Sequence, residues 1–307
     1  MIEGSGRAVR PATRTGAPMN RRLILAAVLS VVVGACGGTT DTASPLATPS
    51  VSVNHTRIPL GSPIELTYKF QVAPSAHFEK NYRVLVHFLD ADDELMWTDD
   101  HTPPVPTSAW KPGQTVEYTR TVFVPLYPYI GEATIAIGLY APGTDERVPL
   151  SGETIGQRAY RVARVRLQPQ TDNIFLAFLD GWHGPETAAG NQSVEWQWTR
   201  KEAVLRFRNP KSNAVFYLDY DGQPSMFDTP QTVSVYLRDQ VIDTFPVNAP
   251  DQTIRKIALK AAQFGQDDVV VIRIAVDKTF VPAMVTPGSR DPRELGIRVF
   301  HAFVEPQ

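Results

Sequence analysis

The sequence predicts an all-β chain organised as two antiparallel β-sandwiches, and three observations predict it. Residues 64–72 set Ile64, Leu66, Tyr68, Phe70 and Val72 against Glu65, Thr67, Lys69 and Gln71, the period of a strand with one wet face. Similar short runs recur along the chain, separated by turn-formers such as Asp90-Ala91-Asp92-Asp93, Lys111-Pro112-Gly113 and Ala141-Pro142-Gly143. A polar stretch at 168–173 divides the runs into two groups, 51–168 and 174–307.

In the first group the runs fall at 64–72, 84–88, 95–98, 116–124, 133–140 and 159–167. About seven short strands over roughly 115 residues suit an immunoglobulin-like sandwich. In the second group the runs fall at 194–199, 203–208, 214–219, 232–238, 241–247, 254–259, 269–276 and 296–304. Ile254, Ile257, Ala258, Ala261 and Phe264 also approximate helical spacing. The turn Gly265-Gln266-Asp267-Asp268, feeding straight into the next run, favours a strand followed by a loop.

Ahead of the sandwiches, Arg21 and Arg22 precede an apolar run from Leu23 to Val33, and Gly34 and Ala35 lead into the chain's single cysteine, Cys36. A basic start, a short apolar stretch and small residues at its end describe an export signal over 19–36, too short to span a bilayer as a helix. Residues 1–18 show no apolar periodicity and read as an extension upstream of a start at Met19. Residues 37–50 are rich in Gly, Thr, Ser, Ala and Pro, a composition expected of a flexible tether.

The composition, 43% hydrophobic and 20% charged over 307 residues, suits globular folding. A net charge of −2 supplies no electrostatic case for a nucleic-acid partner. With one cysteine there is no internal disulfide, and the six histidines have no metal-ligand spacing. The chain lacks a Gly-x-Ser-x-Gly elbow, a His-Glu-x-x-His helix and the glycine-rich nucleotide loops, so the reading calls for no cofactor and no catalytic activity.

Val33-Gly34-Ala35-Cys36 resembles the lipobox of bacterial lipoproteins. That resemblance implies cleavage before Cys36, acylation of its thiol, and a membrane-anchored life in the bacterial cell envelope, facing the periplasm or the exterior. Trp110-Lys111-Pro112-Gly113-Gln114, Gly131-Glu132-Ala133 and Gly138-Leu139-Tyr140 are similar to a β-sandwich module of uncharacterised bacterial envelope proteins, one also appended to membrane glycosyltransferases. Gly181-Trp182 with Glu186, Trp196-Gln197-Trp198 and Ser289-Arg290-Asp291-Pro292-Arg293-Glu294-Leu295-Gly296-Ile297 resemble a C-terminal domain of the same proteins, a jelly-roll like that of carbohydrate-binding modules.

The candidate sites follow from residue types. Trp182, Trp196 and Trp198 with His183 offer flat faces on which sugar rings stack, and Glu186 offers an acceptor for sugar hydroxyls. The competing reading is that these rings pack a core, since Trp196 and Trp198 share one face of a strand. Asp90, Asp92 and Glu94 form a weak calcium candidate, against the plainer reading of a solvated hairpin tip. Asp219-Tyr220-Asp221-Gly222 reads as a second solvated acidic turn. Asp291, Arg293 and Glu294 read as a salt-bridged loop.

The function expected is thus a non-catalytic envelope lipoprotein binding glycan through its second domain. A scaffold that binds an envelope protein through an exposed Thr102-Pro103-Pro104-Val105-Pro106 loop is the alternative. A glycosidase-like enzyme using Glu186 and Glu195 stands third.

Overall fold

Alternation builds the first sandwich. Its strands are β1 (Ala47–Val53), β2 (Arg57–Pro59), β3 (Pro63–Val72), β4 (Arg83–Leu89), β5 (Leu95–Thr98), β6 (Thr115–Phe123), β7 (Gly131–Tyr140), β8 (Thr154–Gly156) and β9 (Ala159–Gln168). The computed structural model describes residues 43–144 and 146–307. One sheet runs β1-β3-β6 and the other β2-β9-β7-β4-β5, with β8 paired to β9. All of these pairs are antiparallel except β2 with β9. This is the immunoglobulin arrangement, with the opening strand split between the sheets. Ile64, Leu66, Tyr68 and Phe70 all point inward from β3, against Phe88, Ile135, Ile137 and Leu139.

The tether reading stops short of residue 50. Ala47–Val53 pairs residue by residue with β3, and Ala47, Pro49 and Val51 are buried while Thr48, Ser50 and Ser52 are exposed. Small residues hid this alternation from a reading by composition. Residues 1–36, with the export signal, Cys36 and the lipobox, lie outside the described residues, as does the tether up to residue 42.

The second sandwich comprises β10 (Leu176–Phe178), β11 (Glu186–Ala188), β12 (Asn191–Trp198), β13 (Glu202–Arg208), β14 (Ala214–Asp221), β15 (Gln231–Leu237), β16 (Gln240–Val247), β17 (Thr253–Leu259), β18 (Val269–Val276) and β19 (Arg298–Pro306). Five-stranded sheets β10-β13-β18-β15-β16 and β11-β12-β19-β14-β17 face each other, and from β12 to β15 the chain crosses between them at every step. That is a jelly-roll wrap. Between β17 and β18 the expected loop contains one helical turn, α1 (Ala261–Phe264), which buries Phe264 completely.

The outer face of the β11-β12-β19-β14-β17 sheet meets the first sandwich. Phe123, at the end of β6, stacks on His301 at 4.5 Å between centroids and 11° between planes. It meets Tyr217 and Phe303 edge-on, each at 6.5 Å. Lys256 pairs with Glu65, and Asn173 Nδ2 donates to the Leu60 carbonyl at 3.0 Å. Among the described residues no helix is long and apolar enough to cross a membrane.

A candidate binding cleft between the sandwiches

The expected tryptophan platform is a packing arrangement, and local geometry shows why. Gly181 sits at φ 85°, where a Cβ would stand 1.8 Å from the Glu202 carbonyl oxygen, so only glycine lets the chain pass this close to β13. The close pass drives Trp182 against the second core, where its Nε1 donates to the Val204 carbonyl at 2.9 Å and its ring meets Phe178 edge-on. Trp198 is only 7% exposed and packs with Phe280 and Leu295 beneath the 280–295 segment. His183 Nε2 contacts the Glu294 carbonyl at 2.7 Å. Glu186 accepts from Arg293 Nη1 at 2.5 Å.

That last pair belongs to a network closed by Asp291. Hydrogen bonds from the Arg293 side chain and backbone hold the Asp291 carboxyl down at about 2. The segment is thus the salt-bridged loop its composition implied.

Trp196 faces a cation from the protein itself. The Arg298 guanidinium lies 4.9 Å from the Trp196 ring, 5.6 Å from Trp198 and 5.5 Å from Phe300. It donates to both oxygens of Asp221. Ring faces used in this way are not a sugar platform. The third expectation also changes: Glu186 lies opposite Trp196 and Thr187 opposite Glu195, so Glu186 and Glu195 project from opposite faces of the sheet.

The two acidic turns differ from each other. At the β4–β5 tip, Asp90 Oδ1 accepts the backbone N–H groups of Asp92 and Glu94 at 2.9 and 3.0 Å, and all three loop carboxylates after it are exposed. Asp90 is spent on its own turn, and among the described residues no three His, Cys, Asp or Glu side chains converge as metal ligands. Asp219 and Asp221, by contrast, are no solvated turn. They end strand β14 with 2% and 3% exposure, on the outer face of the sheet. Burial raises the Asp221 carboxyl, and Arg298 opposes the rise.

Between the sandwiches lies a cleft of about 840 Å³. On the jelly-roll side, Asp219 accepts from Gln252 Nε2 at 3.0 and 2.9 Å and contacts His301 Nδ1 at 2.7 Å. The carboxylate and the Phe123 ring together fix the imidazole, whose side chain remains 48% exposed and whose Nε2 has no partner among the described residues. On the opposite wall Arg120 grips Asp99 with two hydrogen bonds of 3.3 and 3.1 Å. Trp97, stacked on Phe88 at 4.6 Å, and Phe123 supply aromatic surface to the same cleft.

Behind Asp99 a buried polar network runs into the first core. His101 Nδ1 contacts the Asp99 carbonyl at 2.9 Å, and its Nε2 contacts the Tyr118 hydroxyl at 2.8 Å. Burial lowers the proton affinity of His101, so the imidazole is neutral. Burial also pushes the Tyr118 and Tyr68 phenols up, and the charge of Asp99 raises both further. Among the described residues the buried Tyr68 hydroxyl has no hydrogen-bond partner.

No family model matches this chain, and no curated protein matches it. Solved structures similar to it include the CBM51-2 and INT domains of Clostridium perfringens ZmpB, at 9% identity over 58% of this chain and 38% of that one, TM-score 0.24. Bacteroides uniformis β-glucuronidase aligns at 10% identity over 84% and 30%, TM-score 0.29. The Cry4Aa toxin of Bacillus thuringiensis aligns at 7% identity over 85% and 52%, TM-score 0.28. The chain thus spans roughly a third to a half of the structures it resembles. At such TM-scores these likenesses carry no argument about function.

Proposed function

We propose that this chain is a lipid-anchored protein of the bacterial envelope that binds a saccharide, without turning it over, in the cleft between its two sandwiches. The observation that carries the reading is the chemistry of the two walls. A sugar ring presents hydroxyls that donate and accept, together with apolar C–H faces. The cleft answers with paired acceptors and donors held in place by each other, Asp219 with Gln252 and His301, and Asp99 with Arg120. Trp97 and Phe123 supply the apolar surface. Each carboxylate of the cleft is already hydrogen-bonded to a neighbour, which suits recognition better than acid–base work. The lipobox resemblance at Cys36 supplies the anchor, and two or three acyl chains there hold a protein stably on a bilayer.

The test has two arms. Cys36→Ser should abolish palmitate labelling of the expressed chain; labelling that persists removes the anchor. A glycan array on the purified protein should identify a saccharide whose affinity drops about tenfold to a hundredfold in His301→Ala and Arg120→Ala. Trp198→Phe should bind as the parent does. Affinity insensitive to both cleft variants overturns the assignment.

One observation favours the scaffold reading as the second choice. Pro104, Val105 and Pro106 are exposed, while the Val105 carbonyl accepts Trp110 Nε1 at 2.9 Å and so fixes the loop to the core. A stoichiometric protein partner, captured from membranes and lost on replacing Val105 by aspartate, would support it.

A further inference from the structure

The first sandwich carries a second cavity, of about 690 Å³, on the outer face of its larger sheet and away from the inter-sandwich cleft. Outer faces of immunoglobulin-type sheets are ordinarily wet, but here β7 is buried along both faces. Leu85, Leu89, Ala136 and Ala159 form an apolar cluster of their own on that side. The β8–β9 hairpin and the segment after β7 fold over this cluster without closing on it, and the cavity is what remains between them.

The hairpin is costly at its tip. Gln157 and Arg158 sit consecutively in the left-handed region, at φ 47° and 53°. Two-residue hairpins of this kind strongly prefer Asn-Gly or Gly at these positions, because a Cβ is disfavoured there. Long polar side chains at both positions accept that strain, and strain that persists points to a use for the side chains. The backbone beneath is cut to fit: a Cβ on Gly138 would stand 2.7 Å from the Arg158 carbonyl oxygen. Gly138 therefore lets the tip lie directly over β7, with both side chains at the rim of the cavity.

The polar groups are sorted across the sheet. Arg147 lies opposite Tyr140, and its Nη1 donates to the Gln157 carbonyl at 2.8 Å. Among the described residues Arg147 has no carboxylate partner. Asp100 stands at the far side, beyond β4, its Oδ1 accepting the Val86 N–H at 2.9 Å. The floor between is Leu85 and Tyr140, and His87 stands in the wall without a hydrogen-bond partner among the described residues. Burial lowers the proton affinity of His87, with the charge of Asp100 opposing the effect and that of Arg147 adding to it, and the neutral ring offers one donor and one acceptor. Glu146, also at the rim, is occupied by Lys80 at 2.5 Å and by the Tyr82 hydroxyl at 2.9 Å.

We infer that this cavity is a second ligand site, for a saccharide of one or two rings bearing a compact oxyanion, with Arg147 and Gln157 taking the oxyanion and Asp100 and His87 taking hydroxyls. A guanidinium fork matches a carboxylate or a phosphate group, and the Leu85–Tyr140 floor suits a ring face. The site stands independently of the inter-sandwich cleft, and the two share no residue.

Calorimetric titration of the purified protein with glucuronate, glucose 6-phosphate, glucose and inorganic phosphate tests the inference. The expected result is that one of the two anionic sugars binds at least about tenfold more tightly than glucose. Which of them does so tells carboxylate from phosphate. Arg147→Gln should remove that preference, and His301→Ala in the other cleft should leave it intact. Gln157→Gly separates a ligand role from a structural one, since it should raise the unfolding midpoint by relaxing the turn while weakening the anionic sugar. Inorganic phosphate binding as well as the anionic sugars would mean a bare anion site and overturn the saccharide. No preference for an anionic sugar, or one unchanged in Arg147→Gln, overturns the inference altogether.

Discussion

The two sandwiches handle buried polarity in opposite ways. The first draws it inward: Asp99, His101, Tyr118 and Tyr68 run from the cleft into the space between the sheets, among core residues such as Phe70. The second keeps its interior apolar apart from Gln231 at one end of β15, and carries Asp219, Asp221, Arg298 and His301 on the outside of one sheet. That outer face is covered partly by Phe123 of the first sandwich, on Tyr217, His301 and Phe303, and partly by the jelly-roll's own 280–295 segment, on Trp198. Asp219 faces Arg120 and Trp97 of the first sandwich across one cleft, whereas Asp221 is held by Arg298 within the jelly-roll itself. The chemistry thus belongs to the pairing of the domains, and neither sandwich holds it alone.

The comparison breaks most readily at the Arg298 cage. Replacing Arg298 by leucine leaves Asp221 buried without its partner and should cost about 3–5 kcal/mol, read from denaturant unfolding. A loss under about 1 kcal/mol would mean that the outer face is wetter than its 3% exposure of Asp221 implies. Trp198→Ala removes a buried ring and should cost about 3 kcal/mol, with a clearly smaller loss for the partly buried Trp196→Ala.

Acid should single out the first sandwich. His87 and His101 both have proton affinities lowered by burial, so the unfolded chain binds protons there more readily than the folded one. The stability they support is present above about pH 6.5 and is lost as pH falls below it. The double replacement His87→Gln, His101→Gln should flatten that slope in denaturant midpoints taken between about pH 7 and pH 5. The smallest effect is expected at the domain contact: Lys256→Ala breaks the pair with Glu65, whose side chains are 38% and 33% exposed, and should cost less than about 1 kcal/mol.

Much of the fold was readable because strands announce themselves by alternation: β5 and β18 fall where the hydrophobic runs place them, and β3 and β7 within a residue or two. Strands without large apolar residues, β1 above all, gave no such signal. The site was much less readable. The tryptophans attract notice as a sugar platform, yet whether a ring meets solvent or Arg298 is decided by a strand about a hundred residues downstream. Asp219 and Asp221 read as a turn because the burial of a carboxylate depends on what docks against it. His301, Gln252, Phe123 and Arg120 come from separate strands and loops, so no spacing unites them. The one trace was a histidine and an acidic pair inside strands, where polar residues need a reason.

The most direct test is a hydrogen-exchange footprint of the purified protein with the saccharide bound at saturation. The account predicts added protection in peptides covering 97–99, 119–123, 252–254 and 299–302, with residues 182–188 unchanged. Protection confined to 182–198, or none in the cleft, would contradict it.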